Sequence, residues 1–221
     1  MELKVGIPKL EKALGGGFNY NDVVAITGPT GVGKSTLAMQ LLINGIKTGD
    51  RGMYIIMEFD KAYFYKTFEN YIWNIQDYEE LGTLFIVDYP PTEISHFIGQ
   101  GNPLKEIIRK YDIKRVVIDS ILPIALSATN EREMRLNLIT AVDKIKDWGV
   151  LTFIIGESPW SKNSEFPSSY SKIESYVDGW IAMNYNINEE WERQLLVIKS
   201  RKKHEIKPIK FSIDKTGIVF E

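Results

Sequence analysis

Apolar positions along the 221-residue chain fall into two signatures: short unbroken runs and longer stretches with a helical period. Asp22 to Thr27, DVVAIT, is β-branched and apolar, as a buried parallel strand should be. TLAMQLLINGIK then has helical spacing and ends near Gly49. Gly52 to Met57 predicts a second strand, closing on Glu58-Phe59-Asp60. KAYFYKTFENYIWN, from Lys61 to Asn74, predicts a helix whose aromatic stripe is read as core. LGTLFIVDY, from Leu81 to Tyr89, predicts a third strand, broken by Pro90-Pro91. Ile94 to Lys110 carries a helix interrupted around Gly99-Gln100-Gly101-Asn102-Pro103.

A further apolar run, Lys114 to Ser120, contains VVID and so ends in a carboxylate. Ser127-Ala128-Thr129-Asn130 offers a cap for EREMRLNLITAVDKIKDWG. Met134, Leu138, Ala141 or Val142, and Ile145 form the buried stripe of that helix. Gly149 to Gly156 predicts the next strand, ending at Glu157-Ser158. Pro159 to Ser175 has no period and is expected to be a mobile loop.

The two ends of the chain read differently. Near the N-terminus, Gly6 to Leu10 followed by EKAL and Gly15-Gly16-Gly17 predicts a short helix stopped by glycines. Pro8 suits its first turn, and the segment is expected to lie on the sheet as a lid. From Asp178 onward come short strands: Asp178 to Met183, ERQLLVIKSRKK, EIKPIKFSI and GIVFE after the turn Asp214-Lys215-Thr216-Gly217. The expected fold is α/β: a mostly parallel central sheet flanked by helices, with antiparallel C-terminal edge strands. Residues 1–221 are expected to form a single domain.

Composition narrows the chemistry. There is no cysteine, which excludes disulfides, thiol catalysis and thiolate-ligated metals. Two histidines leave little for a nitrogen-ligated metal site. The net charge of −2 gives no global pull toward nucleic acid, so any such contact needs a local patch. No apolar run approaches the length of a membrane helix, and the expected setting is cytoplasmic.

Between the first strand and its helix lies Gly28-Pro29-Thr30-Gly31-Val32-Gly33-Lys34-Ser35-Thr36, which matches the phosphate-binding loop G-x-x-x-x-G-K-[ST]. Its glycines let the backbone curl so that successive N–H groups face phosphate oxygens. The helix N-terminus adds partial positive charge. Lys34 supplies a cation for the β and γ phosphates, and Ser35 a hydroxyl for Mg²⁺. Asp119, at the end of its strand, supplies the carboxylate opposite Ser35. ATP and Mg²⁺ are therefore the expected ligands.

With these motifs in place, the chain resembles the KaiC branch of the RecA/RadA superfamily over nearly its whole length. The residues that carry the likeness are GIPKLEKALGGG, the loop GPTGVGKST, the strand ending in Glu58, VVIDS, the strand ending in Glu157, Asp178-Gly179 and LLVIKSRKKH. The resemblance implies a RecA-like ATPase in which Glu58 activates the attacking water and Asp119 associates with the metal. Where KaiC modules usually have a second acid, this chain has Phe59, which implies slow catalysis. Glu157 falls at the polar sensor of the γ-phosphate. Lys199 and Arg201 match the K-x-R element that reaches a neighbouring subunit's nucleotide, implying a homo-oligomer, either ring or filament. Read without the resemblance, the same basic residues form a solvated edge strand.

Three functional classes stay open. One is a RadA paralogue in DNA recombination or repair that contacts single-stranded DNA through Pro123 to Glu131 and Pro159 to Ser175. Trp160, Phe166 and Tyr170 would stack on bases and Lys162 and Lys172 would meet phosphates, with Glu157, Glu165 and Glu174 opposing. Another is a KaiC-like signalling or assembly ATPase acting on a protein partner. The third is a non-catalytic ATP-binding switch.

Overall fold

The computed structural model describes residues 2–99, 101, 103–161, 166–186 and 191–221. Elements follow in chain order: β1 (Glu2–Leu3), α1 (Pro8–Leu14), β2 (Phe18–Asn19), β3 (Val23–Gly28), α2 (Lys34–Lys47), β4 (Gly52–Ile56), α3 (Lys61–Phe68), α4 (Ile75–Glu80), β5 (Leu84–Asp88) and α5 (Ile94–Ile98). They continue with α6 (Pro103–Lys110), β6 (Arg115–Asp119), α7 (Leu122–Leu126), α8 (Glu131–Asp147), β7 (Leu151–Glu157), β8 (Gly179–Asn186), β9 (Glu192–Lys199), β10 (Ile209–Asp214) and β11 (Gly217–Phe220).

Among the described residues, nine strands form the main sheet in the order β11-β10-β9-β8-β3-β7-β6-β4-β5. From β8 to β5 neighbouring strands run parallel, and β9, β10 and β11 join as antiparallel partners. This is the expected α/β architecture. The central strands alternate their apolar residues between two cores. Val24, Ile26, Tyr54, Ile56, Val117, Phe153 and Ile155 face α1, α2 and α3. Val23, Ala25, Met53, Ile55, Val116, Ile118 and Ile154 face α5 to α8. Both faces of the parallel region are therefore buried, which explains its unbroken apolar runs.

The N-terminal segment lies on the sheet as expected. Leu3, Val5, Ile7, Leu10, Leu14 and Phe18 join the first core, and α1 ends at Gly15 in the left-handed conformation. At the far edge, the side-chain amide of Gln40 on α2 meets β11. Its Nε2 donates to the Ile218 carbonyl at 3.1 Å, and its Oε1 accepts from the Ile218 N–H at 2.7 Å.

Several elements differ from the sequence reading. The aromatic helix starts as expected, with Asp60 accepting from the Tyr63 N–H, but it stops at Phe68 rather than Asn74. The next residues turn onto the β10–β11 connection: Ile72 N–H donates to the Lys215 carbonyl, and Trp73 Nε1 to Thr216 O at 3.1 Å. The tertiary contacts override the helical period there, and the separate helix α4 follows. α7 was read as loop; its five residues are too short to show a period. β5 begins at Leu84 and β10 at Ile209, later than the runs that predict them, and Pro208 delays the latter. The helix over Ile94 to Lys110 is two helices, as its glycine-proline segment implies; Gln100 and Asn102 lie outside the described residues.

The described part of the loop after β7 is anchored, which corrects the expectation of a mobile segment. Ser169, Ser171, Ile173 and Glu174 are buried, and Ser169 Oγ donates to Glu174 Oε2 at 2.6 Å. The polar composition hid this anchoring: the Ser169 N–H and hydroxyl both donate to the Glu174 carboxylate inside the loop. Lys162 and Glu165 lie outside the described residues.

Candidate nucleotide site

Because β3, β4, β6 and β7 run parallel, their carboxyl ends reach one edge of the sheet, where open α/β folds bind ligands. The register places Gly28 beside Glu157 and Ile56 beside Asp119. Glu58 follows β4 by two residues. The strand ends thus bring the phosphate loop, Glu58, Asp119 and Glu157 around one cleft of about 700 Å³. That size falls within the ordinary range for small-molecule sites.

The loop needs its glycines. A Cβ on Gly28 would lie 2.6 Å from the Met183 carbonyl oxygen. Gly33 caps α2 at φ +110°, and a Cβ there would meet Ile213 Cδ1 at 2.7 Å. The free N–H groups at the start of α2 consequently open into the cleft. Gly31, Thr30, Ser35 and Thr36 line it; Pro29 supplies a carbonyl beneath, and Val32 is buried in the core.

Lys34 is 8% exposed and folds against its own loop, donating to the carbonyls of Gly28 at 3.0 Å and Pro29 at 3.1 Å. Burial lowers its pKa, while Glu157, Asp119 and Glu58 act to raise it. Ser35 Oγ donates to Asp119 Oδ2 at 2.7 Å. The hydroxyl of Tyr54, projecting from β4, donates to the same oxygen. Burial pushes the Asp119 pKa up, and the two hydroxyls and Lys34 pull it down. The peptide between Asp119 and Ser120 is cis.

Glu58 accepts a hydrogen bond from Ser120 Oγ. Loss of hydration raises its pKa; the Ser120 bond opposes this, and the charges of Asp119 and Glu157 add to it. Glu157 accepts from Thr30 Oγ1 at 2.7 Å, linking β7 to the loop. Thr36 Oγ1 lies 3.1 Å from the Tyr71 hydroxyl. Phe59, Tyr63, Arg193 and Ile213 complete the walls.

Lys199 and Arg201 do not join this cleft. Lys199 pairs with Trp180 near the amino end of β8, and its Nζ donates to the Val177 carbonyl at 2.6 Å. Arg201 donates to Asp178 Oδ1 at 2.7 Å and lies near Asp22. Asp22 precedes Gly28 by six positions, about 20 Å of extended strand, so both cations sit at the opposite edge of the sheet. Neither reaches the phosphate loop of its own chain.

The donor set suits a nucleoside triphosphate with Mg²⁺. The cradle supplies backbone N–H groups and one lysine for phosphate, Ser35 an oxygen ligand for the metal, and Asp119 a carboxylate for a metal-bound water. Mg²⁺ binds commonly through one or two protein oxygens plus water and phosphate, so no larger cluster is needed. Among the described residues, no group of three or more His, Cys, Asp or Glu forms a separate metal site. No helix among them is long and apolar enough to cross a membrane.

Sequence reasoning missed Tyr54, Ser120 in its contact with Glu58, Tyr71, Tyr185 and Arg193. Tyr54 sits within a strand and reads as core, and the other contacts join residues far apart in the chain. Only the proximity of Ser120 to Asp119 offered a local signal.

A phosphate loop at the carboxyl edge of a mostly parallel sheet, with antiparallel C-terminal strands, defines a P-loop protein of RecA type. The KaiC ATPase family model matches residues 3–221, and the chain belongs to that family. A UPF0273 protein of Thermotoga maritima is 28% identical over 235 residues, covering 98% of this chain and 94% of the relative. The circadian clock protein KaiC3 of Synechocystis is 25% identical over 235 residues, covering 99% of this chain and 45% of KaiC3. The crystal structure of a KaiC-like protein from Pyrococcus horikoshii superposes with a TM-score of 0.86 at 29% identity. That match covers 100% of this chain and 99% of the other.

Proposed function

We propose that the chain binds ATP in this cleft and hydrolyses it to ADP and phosphate, as one side of a site completed by a second copy. The observation that carries the reading is the convergence of Lys34, the Ser35–Asp119 pair and Glu58 around the phosphate loop. The N–H groups of residues 31–36 and Lys34 would hold the phosphates. Ser35, directly, and Asp119, through water, would hold Mg²⁺, which neutralises charge on the β and γ phosphates.

Glu58 orients water in line with the γ-phosphorus. The water oxygen bonds to phosphorus, the bond to the departing ADP oxygen breaks, and the carboxylate takes the proton. Its raised pKa makes it a stronger base than an ordinary glutamate. Phe59 beside it supplies no second acid, in keeping with slow turnover.

Lys199 and Arg201 support the second side of the site. Too far from their own loop, they would serve another copy's nucleotide after leaving the Val177 carbonyl and Asp178, and a cation there would stabilise charge developing on the transferred phosphoryl group. Arg201 is 51% exposed by side chain. For the downstream partner, the exposed rings of Trp160 and Tyr170 beside the cleft are read as a stacking surface for single-stranded DNA, with a protein partner as the alternative.

Lys34→Ala should weaken ATP binding ten- to a hundredfold, the scale of losing charge-assisted hydrogen bonds. Titration calorimetry reads this directly, and unchanged affinity would reject the site. Turnover per subunit should fall across a dilution series that dissociates the protein. Oligo-dT added to the same series should raise it at low salt. Constant turnover argues against a shared site, and indifference to oligo-dT argues against the DNA reading.

A further inference from the structure

The outer arc of the phosphate loop is held by a side chain that the proposed chemistry does not use. Tyr185, near the end of β8, donates its hydroxyl to the Gly31 carbonyl at 2.7 Å. Its ring is stacked on Trp160, with centroids 5.2 Å apart and planes 12° apart. The guanidinium of Arg193, opposite Tyr185 in the β8–β9 register, lies 5.4 Å from the ring centroid. Trp191 packs edge-on against Trp160 at 5.0 Å. Trp160 and Trp191 remain 51% and 53% exposed, so this support stands at the mouth of the cleft.

The peptide joining Gly31 and Val32 is a rigid planar unit, with its carbonyl and its N–H on opposite sides. Gly31 has φ +80°, a conformation glycine adopts without strain but does not by itself enforce. Holding the carbonyl outward therefore aims the Val32 N–H to the other side. Thr30, one position earlier, is held by Glu157. Within the loop, Val32 N–H has only a long contact of 3.4 Å to the Pro29 carbonyl, which a phosphate oxygen can replace.

We infer that Tyr185 is a positioning residue for the phosphate loop: its hydroxyl presets the Gly31–Val32 peptide, and the stack on Trp160 fixes the ring. Presetting removes an ordering cost that nucleotide binding would otherwise bear. The inference rests on the ATPase reading above and adds a residue that acts on affinity rather than on the chemical step.

Tyr185→Phe removes the hydroxyl and keeps the ring. Calorimetry with ATP and with ADP should show affinity falling about tenfold for both, the scale of one hydrogen bond. Turnover at saturating ATP should stay within about twofold, and the thermal midpoint without nucleotide within about 2 °C. Unchanged affinity overturns the inference. So does lost turnover at unchanged affinity, which places the hydroxyl in the chemistry. A fall in midpoint that accounts for the weaker binding makes the residue merely structural and also overturns it. Wild-type protein that does not bind ATP would remove the ATPase reading and this inference together. Wild-type binding with an indifferent Tyr185→Phe variant removes the inference alone.

Discussion

Glu58→Gln should cut ATP turnover about a thousandfold while leaving ATP binding close to that of the wild type. General-base catalysis is worth about a hundred- to ten-thousandfold, and glutamine keeps the shape of the side chain without the basicity. Ser120 Oγ can still donate to the amide oxygen, so the cleft wall keeps its hydrogen bond. The same substitution should not destabilise the protein. Because the Glu58 pKa is raised, the folded state favours its protonated form. That contribution to stability is full below the ordinary carboxylate value and is lost as pH rises through the raised one. Above the raised pKa the ionised carboxylate is a liability that glutamine removes. Single-turnover kinetics alongside thermal melts at pH 4 and pH 7 checks both halves. Wild-type turnover in the variant would dismiss Glu58 as the base.

Arg115→Ala should have the largest effect on folding. Arg115 opens β6, is only 2% exposed, and ties together three remote segments. Its Nε donates to Asp50 Oδ2 at 2.7 Å, one Nη to the Leu41 carbonyl at 3.2 Å, and the other to the Lys4 carbonyl at 2.9 Å. Alanine leaves a carboxylate and two carbonyls without their partner and opens a cavity. Breaking a buried pair in this way costs about 3–5 kcal/mol. For a chain of this size the melting midpoint should fall by roughly 10 °C. Gly45 supplies an independent check, since a Cβ there would lie 2.2 Å from Arg115 Nε. Gly45→Ala should therefore destabilise the wild type and be much milder in the Arg115→Ala background. Additive effects, or a midpoint within about 2 °C for Arg115→Ala, would dismiss this brace.

These two residues mark what the sequence could and could not convey. Glu58 was legible because it ends an apolar run after the phosphate loop, and the same held for Asp119 and Glu157. The parallel strands convert such ends into a shared edge, so local pattern sufficed to place these carboxylates at the cleft, while the roles given to Glu58 and Glu157 came from the resemblance. Arg115 was visible only as the start of a strand. Its partners lie 65, 74 and 111 positions away, and no local period encodes them. Tyr185 and Gly31 are separated by 154 positions in the same way. The aromatic helix misled for a related reason: its continuation past Phe68 has a helical pattern but gains more by packing Trp73 onto the final turn. Lys199 and Arg201 were singled out by resemblance, and the fold places them where their own nucleotide cannot use them.

The contact between Gln40 and Ile218 constrains how copies can associate. A strand at the end of a sheet normally offers N–H and carbonyl groups to a strand from another molecule. Here one glutamine amide occupies both groups of Ile218, in the middle of a strand only four residues long. Continuous sheet extension through β11 is thereby blocked. A ring or filament that used this edge would have to join there through side chains, and its subunits could part at that seam without unzipping a backbone ladder.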